Sequence, residues 1–499
     1  MTTSYRVQSI KFVLLFSLVF TIPAGIRQAR AESISNDRLA GDENEAQSLY
    51  HETYRPQFHF TSKEHWLNDP NGLVYYKGAY HLFFQHDPSK NVSTGNMSWG
   101  HAISSDLVHW TQLDDALRPD KFGPVWSGTA AVDWNNTAGF QTGPENALVA
   151  VYAAAGKPFT QCLVFSTDKG MTWNKYAQNP VLPNQASGNR DPKVVWYAPT
   201  RRWIMVIYKQ YHIFGFFSSP DLKQWTHLSD IDVADSAECP DFFPMAVDGN
   251  PKNEKWVFTS ANGHYLVGTF DGERFCPATG PYPEDWGKSY YAVQTFSDIP
   301  SPDGRRIQIA WMRGGIYPGM PFNQQMSFPC ELMLRTFPEG LRLCRQPVKE
   351  IDLLHGNEQS WAALDLTPGE NTLSKVTGDL FDIRVEIDPG KATEVGFKIR
   401  GEPVRYQVNK KASKDLISCL GQSVEMPPVS NRITLQILVD RTSLEVFGND
   451  GKVSMTSCFL PDPKNQSLEL YATGGVAKII SLKVYPLHSA WDQPAPASK

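Results

Sequence analysis

Three acidic residues lie beside proline-containing segments, each next to a run of strand-forming residues. They are Asp69 within HWLNDPNG, Asp191 within NRDPK and Glu238 within AECPDFF. A proline that follows an acidic residue biases that residue toward extended backbone, so Asp69 and Asp191 are predicted at strand starts. A single Asp-Pro pair is usually only a turn former. The indication of chemistry comes from the occurrence of three acids in similar settings.

A weak internal repeat predicts how these acids come together. Segments 105–110, 167–173 and 219–225 each carry an aspartate a few residues before a tryptophan. Their spacing of roughly 50 to 60 residues is typical of β-propeller blades. Equivalent strand starts converge on the axis of a propeller. The three acids are therefore predicted to open strands in three successive repeat units and to face one another near that axis.

A cluster of carboxylates indicates a particular chemistry. They repel one another, and their pKa values are driven apart. Glycoside hydrolysis uses this arrangement, because one carboxylate attacks the sugar while another donates a proton to the leaving group. The 12 histidines show no metal-ligand spacing beside the acids, so no metal is predicted, and no cofactor is implied.

The bulk composition favours a packed all-β protein. The chain has 499 residues, of which 41% are apolar and 12% aromatic, with 36 Gly and 36 Pro. Such a composition predicts a large core and many turns between short strands. The formal net charge of −5 provides no basic field, so no nucleic-acid partner is predicted.

The N-terminus has the pattern of a secretory signal peptide. Basic residues precede the apolar run 12–19, and ARA at 29–31 resembles a cleavage site. Residues 1–31 are therefore predicted to be removed, with 32–53 as a polar leader. The mature protein is predicted to be secreted, either extracellular or periplasmic, without membrane association.

Beyond the leader, short apolar runs predict two β domains. The repeat-bearing part, 54–345, is predicted to be a propeller that carries the acids. A linker at 346–356 ends this pattern. Residues 357–488 show strands without the tryptophan-bearing turns, which favours a β-sandwich, and 489–499 form a tail. Oligomeric state is not indicated.

The seven cysteines do not predict a disulfide framework. Their number is odd and no CxxC pair occurs, which disfavours a zinc site and leaves one or two bridges open. Sequons for N-glycosylation begin at Asn91, Asn96, Asn135 and Asn465.

The acidic motifs resemble those of glycoside hydrolase family 32, the family of levanases, exo-inulinases and invertases. WLNDPNG is close to the family's signature, and RDP and ECP are similar to its two other hallmarks in the same order. FFQHDP at 83–88, WSG at 126–128 and LVDRTSLEVF at 438–447 extend the likeness. The resemblance covers nearly all of the predicted mature chain. It implies a five-bladed β-propeller followed by a C-terminal β-sandwich.

The resemblance also implies a role for each acid. Asp69 matches the nucleophile that attacks a terminal fructosyl unit, Glu238 matches the general acid/base, and Asp191 matches the transition-state stabiliser. In a retaining enzyme the first two stand about 5 Å apart. Because Glu238 must start protonated, its pKa is expected to be raised by the neighbouring anions.

Further residues are expected to line the sugar subsite, since amides suit sugar hydroxyls and aromatic faces suit the C–H side. They are Asn68, Gln85, Trp126, Ser127 and Arg190. Arg190 is also expected to tune Glu238 electrostatically. Cys239 is expected to be a buried free thiol, and Asp440 and Glu445 are expected to be structural.

The sequence departs from the family's usual pattern at two places. His86-Asp87 stands where Tyr-Asn is common, and Ser289-Tyr290-Tyr291 stands where Asp-Phe-Tyr is common. An acid that often lines the pocket is thus missing at Ser289. Hydrolysis is still expected because the three carboxylates are present, while substrate preference stays open.

The family resemblance implies a retaining exo-acting β-fructosidase that releases terminal fructose from levan- or inulin-type fructans and from sucrose. DWNNTAGF at 133–140 is similar to a segment of exo-acting inulinases and levanases, which favours a fructanase over a dedicated invertase. An endo-acting enzyme and a fructosyltransferase are alternatives within the family. A non-catalytic fructan-binding protein is disfavoured because it would be expected to have lost one of the three acids.

Overall fold

The computed structural model describes residues 49–409 and 414–492. The chain divides into two units, Met1–His51 and Glu52–Lys499, and every strand described lies in the second. The predicted signal peptide and most of the predicted leader lie outside the described residues. Within the described ranges, no helix is long and apolar enough to cross a membrane.

The first part of the second unit consists of antiparallel blades. Blade I contains β1 (His65–Tyr76), β2 (Ala79–Asp87), β3 (Ser98–Ser104) and β4 (Thr111–Leu117). Blade II contains β5 (Val125–Val132), β6 (Leu148–Ala154), β7 (Thr160–Ser166) and β8 (Asn174–Lys175). Blade III contains β9 (Arg190–Tyr197), β10 (Arg202–Gln210), β11 (Ile213–Ser219) and β12 (Thr226–Asp232).

Two further blades complete the ring. Blade IV contains β13 (Asp241–Val247), β14 (Asn250–Thr259), β15 (His264–Phe270) and β16 (Phe275–Pro283). Blade V contains β17 (Tyr291–Thr295), β18 (Arg306–Trp311), β20 (Cys330–Phe337) and β21 (Gly340–Pro347), and the short β19 (Phe322–Asn323) pairs in parallel with β1. The first strand of each blade contacts the first strand of its neighbours, including β17 with β1. These five first strands therefore surround the axis.

Apolar side chains fill the spaces between neighbouring blades. On β10, Trp203, Met205 and Ile207 pack toward blade II, whereas Ile204 and Val206 pack toward blade IV. Side chains alternate between the two faces of a strand, so a strand buried on both faces reads as a continuous apolar run. The apolar runs in the sequence are thus strands held between two blades.

The repeated acidic turn joins the third and fourth strands of blades I, II and III. Its aspartate accepts backbone N–H groups of the same turn, which stabilises the turn locally. Its tryptophan donates the indole N–H to a carbonyl oxygen three residues earlier, at 3.0 Å in Trp110, Trp173 and Trp225. The repeat is therefore a structural feature of successive blades.

The second part of the unit is a β-sandwich that follows a 3-10 helix, Lys349–Leu354. One sheet contains β22 (Gln359–Leu366), β23 (Phe381–Asp388), β28 (Ile433–Asp440), β29 (Ser443–Gly448), β30 (Val453–Cys458) and β32 (Ala477–Pro486). The other contains β24 (Glu394–Ile399), β25 (Glu402–Gln407), β26 (Leu416–Cys419), β27 (Gln422–Glu425) and β31 (Leu468–Thr473). Propeller and sandwich lie in one compact unit, which shows no division between them. The domain limits drawn from the sequence therefore stay predictions.

A buried charge network ties the segment before β1 to the sandwich. The two ring nitrogens of His59 lie 2.8 Å from carboxylate oxygens of Asp440 and Glu445, and all three side chains are fully buried. Burial acts to lower the pKa of His59, but the hydrogen bonds and charges of the two carboxylates outweigh it and raise the pKa to about 9. Asp440 and Glu445 thus have the structural place expected of them.

Candidate active site

The predicted acids meet at one end of the propeller axis, around a cavity of about 300 Å³. All eight residues that the sequence predicts for the site line this cavity: Asp69, Asp191, Glu238, Asn68, Gln85, Trp126, Ser127 and Arg190. Seven of the eight lie on the first strand of a blade or just before it, and Gln85 lies on β2. The ring of blades therefore brings together residues that are far apart in sequence.

The repeat predicted that the acids lie in three successive blades, and this prediction was wrong. Asp69 belongs to blade I, Asp191 to blade III, and Glu238 leads into blade IV. Blade II presents Ser127 at the equivalent place. In a closed ring all first strands face the same axis, so acids meet there without being in adjacent blades.

Asp69 lies inside a long strand and not at the strand start that was predicted. The register between β1 and β2 slips once on each side of Pro70-Asn71, and such β-bulges take up extra residues without ending a strand. Gly72 has a φ of +54°, and a Cβ atom there would lie 2.7 Å from Cδ2 of Phe83. The Asn-Gly pair therefore serves a bulge and not a hairpin turn.

Two side chains hold the carboxylate of Asp69. Ser127 Oγ donates to Oδ2 at 2.6 Å, and Asn68 Nδ2 donates to Oδ1 at 3.0 Å. Burial raises the pKa of Asp69, these two hydrogen bonds oppose the rise, and the charge of Glu238 adds to it. The donors favour the ionised carboxylate, which is the form that a nucleophile requires.

Asp191 is buried next to Asp69 and has a φ of +59°. Its Oδ2 accepts the backbone N–H of Cys239 at 3.1 Å and lies 3.6 Å from Nε of Arg190. Burial raises the pKa of Asp191 to about 7; Arg190 opposes this rise, and the charges of Glu238 and Asp69 add to it. Left-handed backbone is costly for a non-glycine residue and persists where the surroundings enforce it.

Glu238 makes a hydrogen bond through each carboxylate oxygen. Arg190 Nη2 donates to Oε1 at 2.5 Å and the Tyr291 hydroxyl donates to Oε2 at 2.6 Å. The expected rise in the pKa of Glu238 was wrong: burial acts to raise it, but the bonds from Tyr291 and Arg190 outweigh burial and lower it. The expectation counted nearby anions and omitted these direct donors. The contact with Glu238 places Arg190 where its predicted electrostatic action requires it.

Three residues of blade V line the cavity without having been predicted as site residues. They are Tyr291, Trp311 and Arg313, and the Arg313 guanidinium lies 4.8 Å from the centroid of the Tyr291 ring. Tyr291 stood in a motif that had drawn notice only for its missing acid. Trp311 and Arg313 carry no local motif, because what brings them to the cavity is closure of the ring.

Asp87, which replaces the family's common Asn, organises a loop beside the cavity. Its carboxylate accepts hydrogen bonds from the backbone N–H groups and hydroxyls of Ser89 and Thr94. Three residues of this loop then line the cavity: Ser93, Gly95 and Met97. The departure from the family pattern therefore shapes one wall of the site.

The remaining residues singled out in the sequence are Gln85, Ser289 and Cys239. The Nε2 atom of Gln85 is buried and donates to no described residue, which leaves a donor in the wall of the cavity. Ser289 is buried elsewhere, where its Oγ accepts the backbone N–H of Cys458 at 3.1 Å. All seven cysteines lie in the described ranges and are free. Cys239 is the buried free thiol that was expected, and burial raises its pKa well above the usual value.

Family models match both parts of the chain. Residues 59–347 match the N-terminal domain of glycosyl hydrolases family 32, and residues 350–486 match the C-terminal domain. These matches make the protein a glycoside hydrolase. The chain belongs to glycosyl hydrolase family 32, which confirms the resemblance seen in its motifs.

Individual relatives agree with this assignment. The chain is 41% identical to a levanase of Bacillus subtilis, over 89% of this chain and 72% of the levanase. It is 30% identical to an extracellular exo-inulinase of Aspergillus niger, over 89% of this chain and 96% of that protein. It superposes on the crystal structure of an exo-inulinase from Aspergillus awamori with a TM-score of 0.79 at 28% identity, over 89% of this chain and 100% of that one. The predicted fold class, a five-bladed β-propeller followed by a β-sandwich, is confirmed.

Proposed function

We propose that this protein is a secreted, retaining, exo-acting β-fructosidase that releases terminal fructose from levan- or inulin-type fructans and from sucrose. The observation that carries the proposal is the meeting of Asp69, Asp191 and Glu238 in one cavity of a family 32 chain. The similarity to a levanase and an exo-inulinase supports fructans as substrates. Secretion is supported by the signal pattern and by the extracellular relative.

In the first step Asp69 attacks the anomeric carbon of the terminal fructosyl unit. Glu238 donates its proton to the glycosidic oxygen, the bond to that oxygen breaks, and a covalent fructosyl-enzyme forms. Ser127 and Asn68 hold the attacking carboxylate in place. Asp191 binds sugar hydroxyls and stabilises the positive charge that develops on the ring.

In the second step Glu238 acts as a base. It takes a proton from water, the water oxygen bonds to the anomeric carbon, and Asp69 leaves as a carboxylate. Tyr291 and Arg190 stabilise the ionised form of Glu238, which is the form that this step requires. The first step requires the protonated form, so the lowered pKa of Glu238 favours activity on the acidic side of neutrality.

The size of the cavity favours exo action. Its volume of about 300 Å³ lies at the lower end of the range for ligand-binding cavities. A cavity of this size suits one terminal sugar unit better than an internal segment of a polymer. We therefore expect fructose to be released one unit at a time.

The experiment is product analysis on levan, inulin and sucrose in parallel, with Asp69→Asn as the inactive control. Free fructose from the first time point, at rates on levan or inulin near or above the rate on sucrose, supports the proposal. Activity confined to sucrose would make the protein an invertase. Oligosaccharides that appear before fructose, or products that grow longer at high sucrose, would indicate an endo-acting enzyme or a transferase.

A further inference from the structure

A second cavity lies at the opposite end of the same inner strands. Its volume is about 250 Å³, and its walls include the ends of β5 and β9, the middle of β13 and the residues after β17. Along β9, Asp191 belongs to the catalytic cavity and Trp196 to the second one. Five residues of extended strand span about 17 Å. The two cavities are therefore separate sites on opposite faces of the propeller.

An exposed tryptophan with a fixed orientation stands in this second cavity. Trp134 is 54% exposed, and its indole N–H donates to Oδ1 of Asp298 at 2.8 Å. The other oxygen of Asp298 accepts the backbone N–H of Val132 at 2.9 Å, so the carboxylate is anchored to β5. The N–H of Trp134 is thus occupied while much of the side chain stays open to solvent.

A second aromatic surface continues the cavity into a groove. Trp196 packs edge-on against Trp203, whose indole N–H donates to Thr137 at 2.8 Å. Trp196 and Pro244 also belong to a neighbouring depression of about 440 Å³ that includes Tyr197. The two depressions adjoin at these shared residues, so together they form a groove that is lined by blades II, III, IV and V.

The polar groups of the groove do not favour a strongly charged ligand. Arg306 and Asp298 both line the cavity and carry opposite charges, and the ammonium of Lys193 is 2.8 Å from a carboxylate oxygen of Asp241. Positive and negative groups are thus matched. Asn135 adds an amide to the wall. Oriented aromatic surfaces with scattered neutral and balanced polar groups suit a neutral, hydroxyl-rich ligand.

We propose that this groove, which we call the distal groove and define by Trp134, Trp196, Tyr197 and Asp298, is a non-catalytic binding site for the chain of a β-fructan. This inference rests on the proposed function for its substrate class. Furanose units stack on Trp134 and Trp196, and their hydroxyls meet Asn135 and Arg306. Binding there keeps the enzyme on the polymer while a chain end enters the catalytic cavity, which raises the local concentration of ends.

The test is electrophoresis in native gels that contain levan or inulin, with enzyme made in a bacterial host so that Asn135 carries no glycan. An Asp69→Ala background prevents degradation of the polymer. Polymer is expected to retard this protein, and Trp134→Ala or Trp196→Ala in that background is expected to remove most of the retardation. Met171→Ala is the matched control, because Met171 is 50% exposed and lies on a turn of blade II.

Kinetics separate a groove effect from a catalytic one. With Asp69 intact, Trp134→Ala is expected to lower the rate at low polymer concentration by about fivefold and to leave kcat/KM on sucrose unchanged. Equal retardation of all variants, or equal losses on sucrose and polymer, would overturn the inference while the proposed function stands. Retardation that depends on Trp134 in an enzyme that releases no fructose would support the groove and overturn the proposed function.

Discussion

The hydroxyl of Ser127 donates a 2.6 Å hydrogen bond to Oδ2 of Asp69, so blade II positions the carboxylate that blade I carries. We expect Ser127→Ala to lower kcat/KM on sucrose roughly 10- to 100-fold, because a hydrogen bond to a charged group is lost. The same change raises the pKa of Asp69, and the pH optimum should move up by about half of that rise, since an optimum lies midway between two apparent pKa values.

The control for this prediction is Ser93→Ala. Ser93 lines the same cavity, but its hydroxyl bonds to the sulfur of Met97 and to no acid. The Ser93→Ala enzyme should keep the wild-type pH optimum. A Ser127→Ala enzyme with reduced activity and an unmoved optimum would show that Ser127 acts on something other than the ionisation of Asp69.

Tyr291→Phe removes the hydroxyl that donates to Glu238 at 2.6 Å. This bond lowers the pKa of Glu238, so its loss raises that pKa and retains the proton to higher pH. We expect the pH optimum of kcat/KM to rise by roughly half a pH unit. This holds whichever of the two carboxyl groups, Asp69 or Glu238, loses its proton first. Tyr208→Phe is the control, since its ring packs over Arg190 and it does not bond to Glu238. An optimum that falls would contradict the assignment.

Glu238→Ala tests the general acid directly. We expect a loss of about 10²- to 10⁴-fold in kcat on sucrose and a much smaller loss on an aryl β-fructofuranoside with an acidic phenol. The phenol leaves without protonation, so the acid matters less. Asp191→Ala is the comparison and should lose activity on both substrates alike. Equal losses for Glu238→Ala on the two substrates would count against Glu238 as the acid.

His59→Gln tests the buried network with Asp440 and Glu445. Leaving buried carboxylates without their cation is expected to cost about 3–5 kcal/mol of unfolding free energy. Because the pKa of His59 is raised to about 9, its contribution is complete below the unfolded value near 6.5 and is lost as the pH rises through about 9. Denaturant unfolding at pH 6, 7.5 and 9 should show this decline in wild type and a flatter profile in the variant.

The matched control is His109→Gln. The side chains of His109 and Asp106 are 30% and 27% exposed, and such a pair contributes about 0–1 kcal/mol. Its unfolding free energy should follow the wild-type pH profile. If His59→Gln and His109→Gln had equal effects, the buried network would not be a principal source of stability.

Gly72→Ala tests the bulge that follows Asp69 on β1. The new methyl group would lie 2.7 Å from Phe83 at a φ of +54°, so we expect a loss of about 2–4 kcal/mol in stability together with a fall in activity. Gly78→Ala has a φ of +92° but meets nothing within 4 Å, so it isolates the backbone strain. Differential scanning calorimetry and sucrose kinetics measure both effects. Equal shifts in the two variants would mean that the contact with Phe83 is unimportant.

Much of the fold was predictable because its signals are local. Apolar runs such as 203–208 and 433–439 fall within strands β10 and β28. A strand that is buried on both faces has a continuous apolar run in the sequence. The repeated turn is likewise visible, because its aspartate and the backbone groups that it binds are only a few residues apart. The limits of the two domains, and the distance of about 5 Å expected between the carboxyl groups of Asp69 and Glu238, stay predictions.

The site was predictable in its members but only partly in its arrangement. The sequence by itself determined which acids line the cavity, because Asp69, Asp191 and Glu238 stand in distinctive motifs. Only the tertiary structure decided that Asp69 lies at a bulge inside β1, that Tyr291 and Arg190 lower the pKa of Glu238, and that a groove forms on the opposite face. These properties depend on which side chains meet when the ring of blades closes, and contacts between distant residues leave no pattern along the chain.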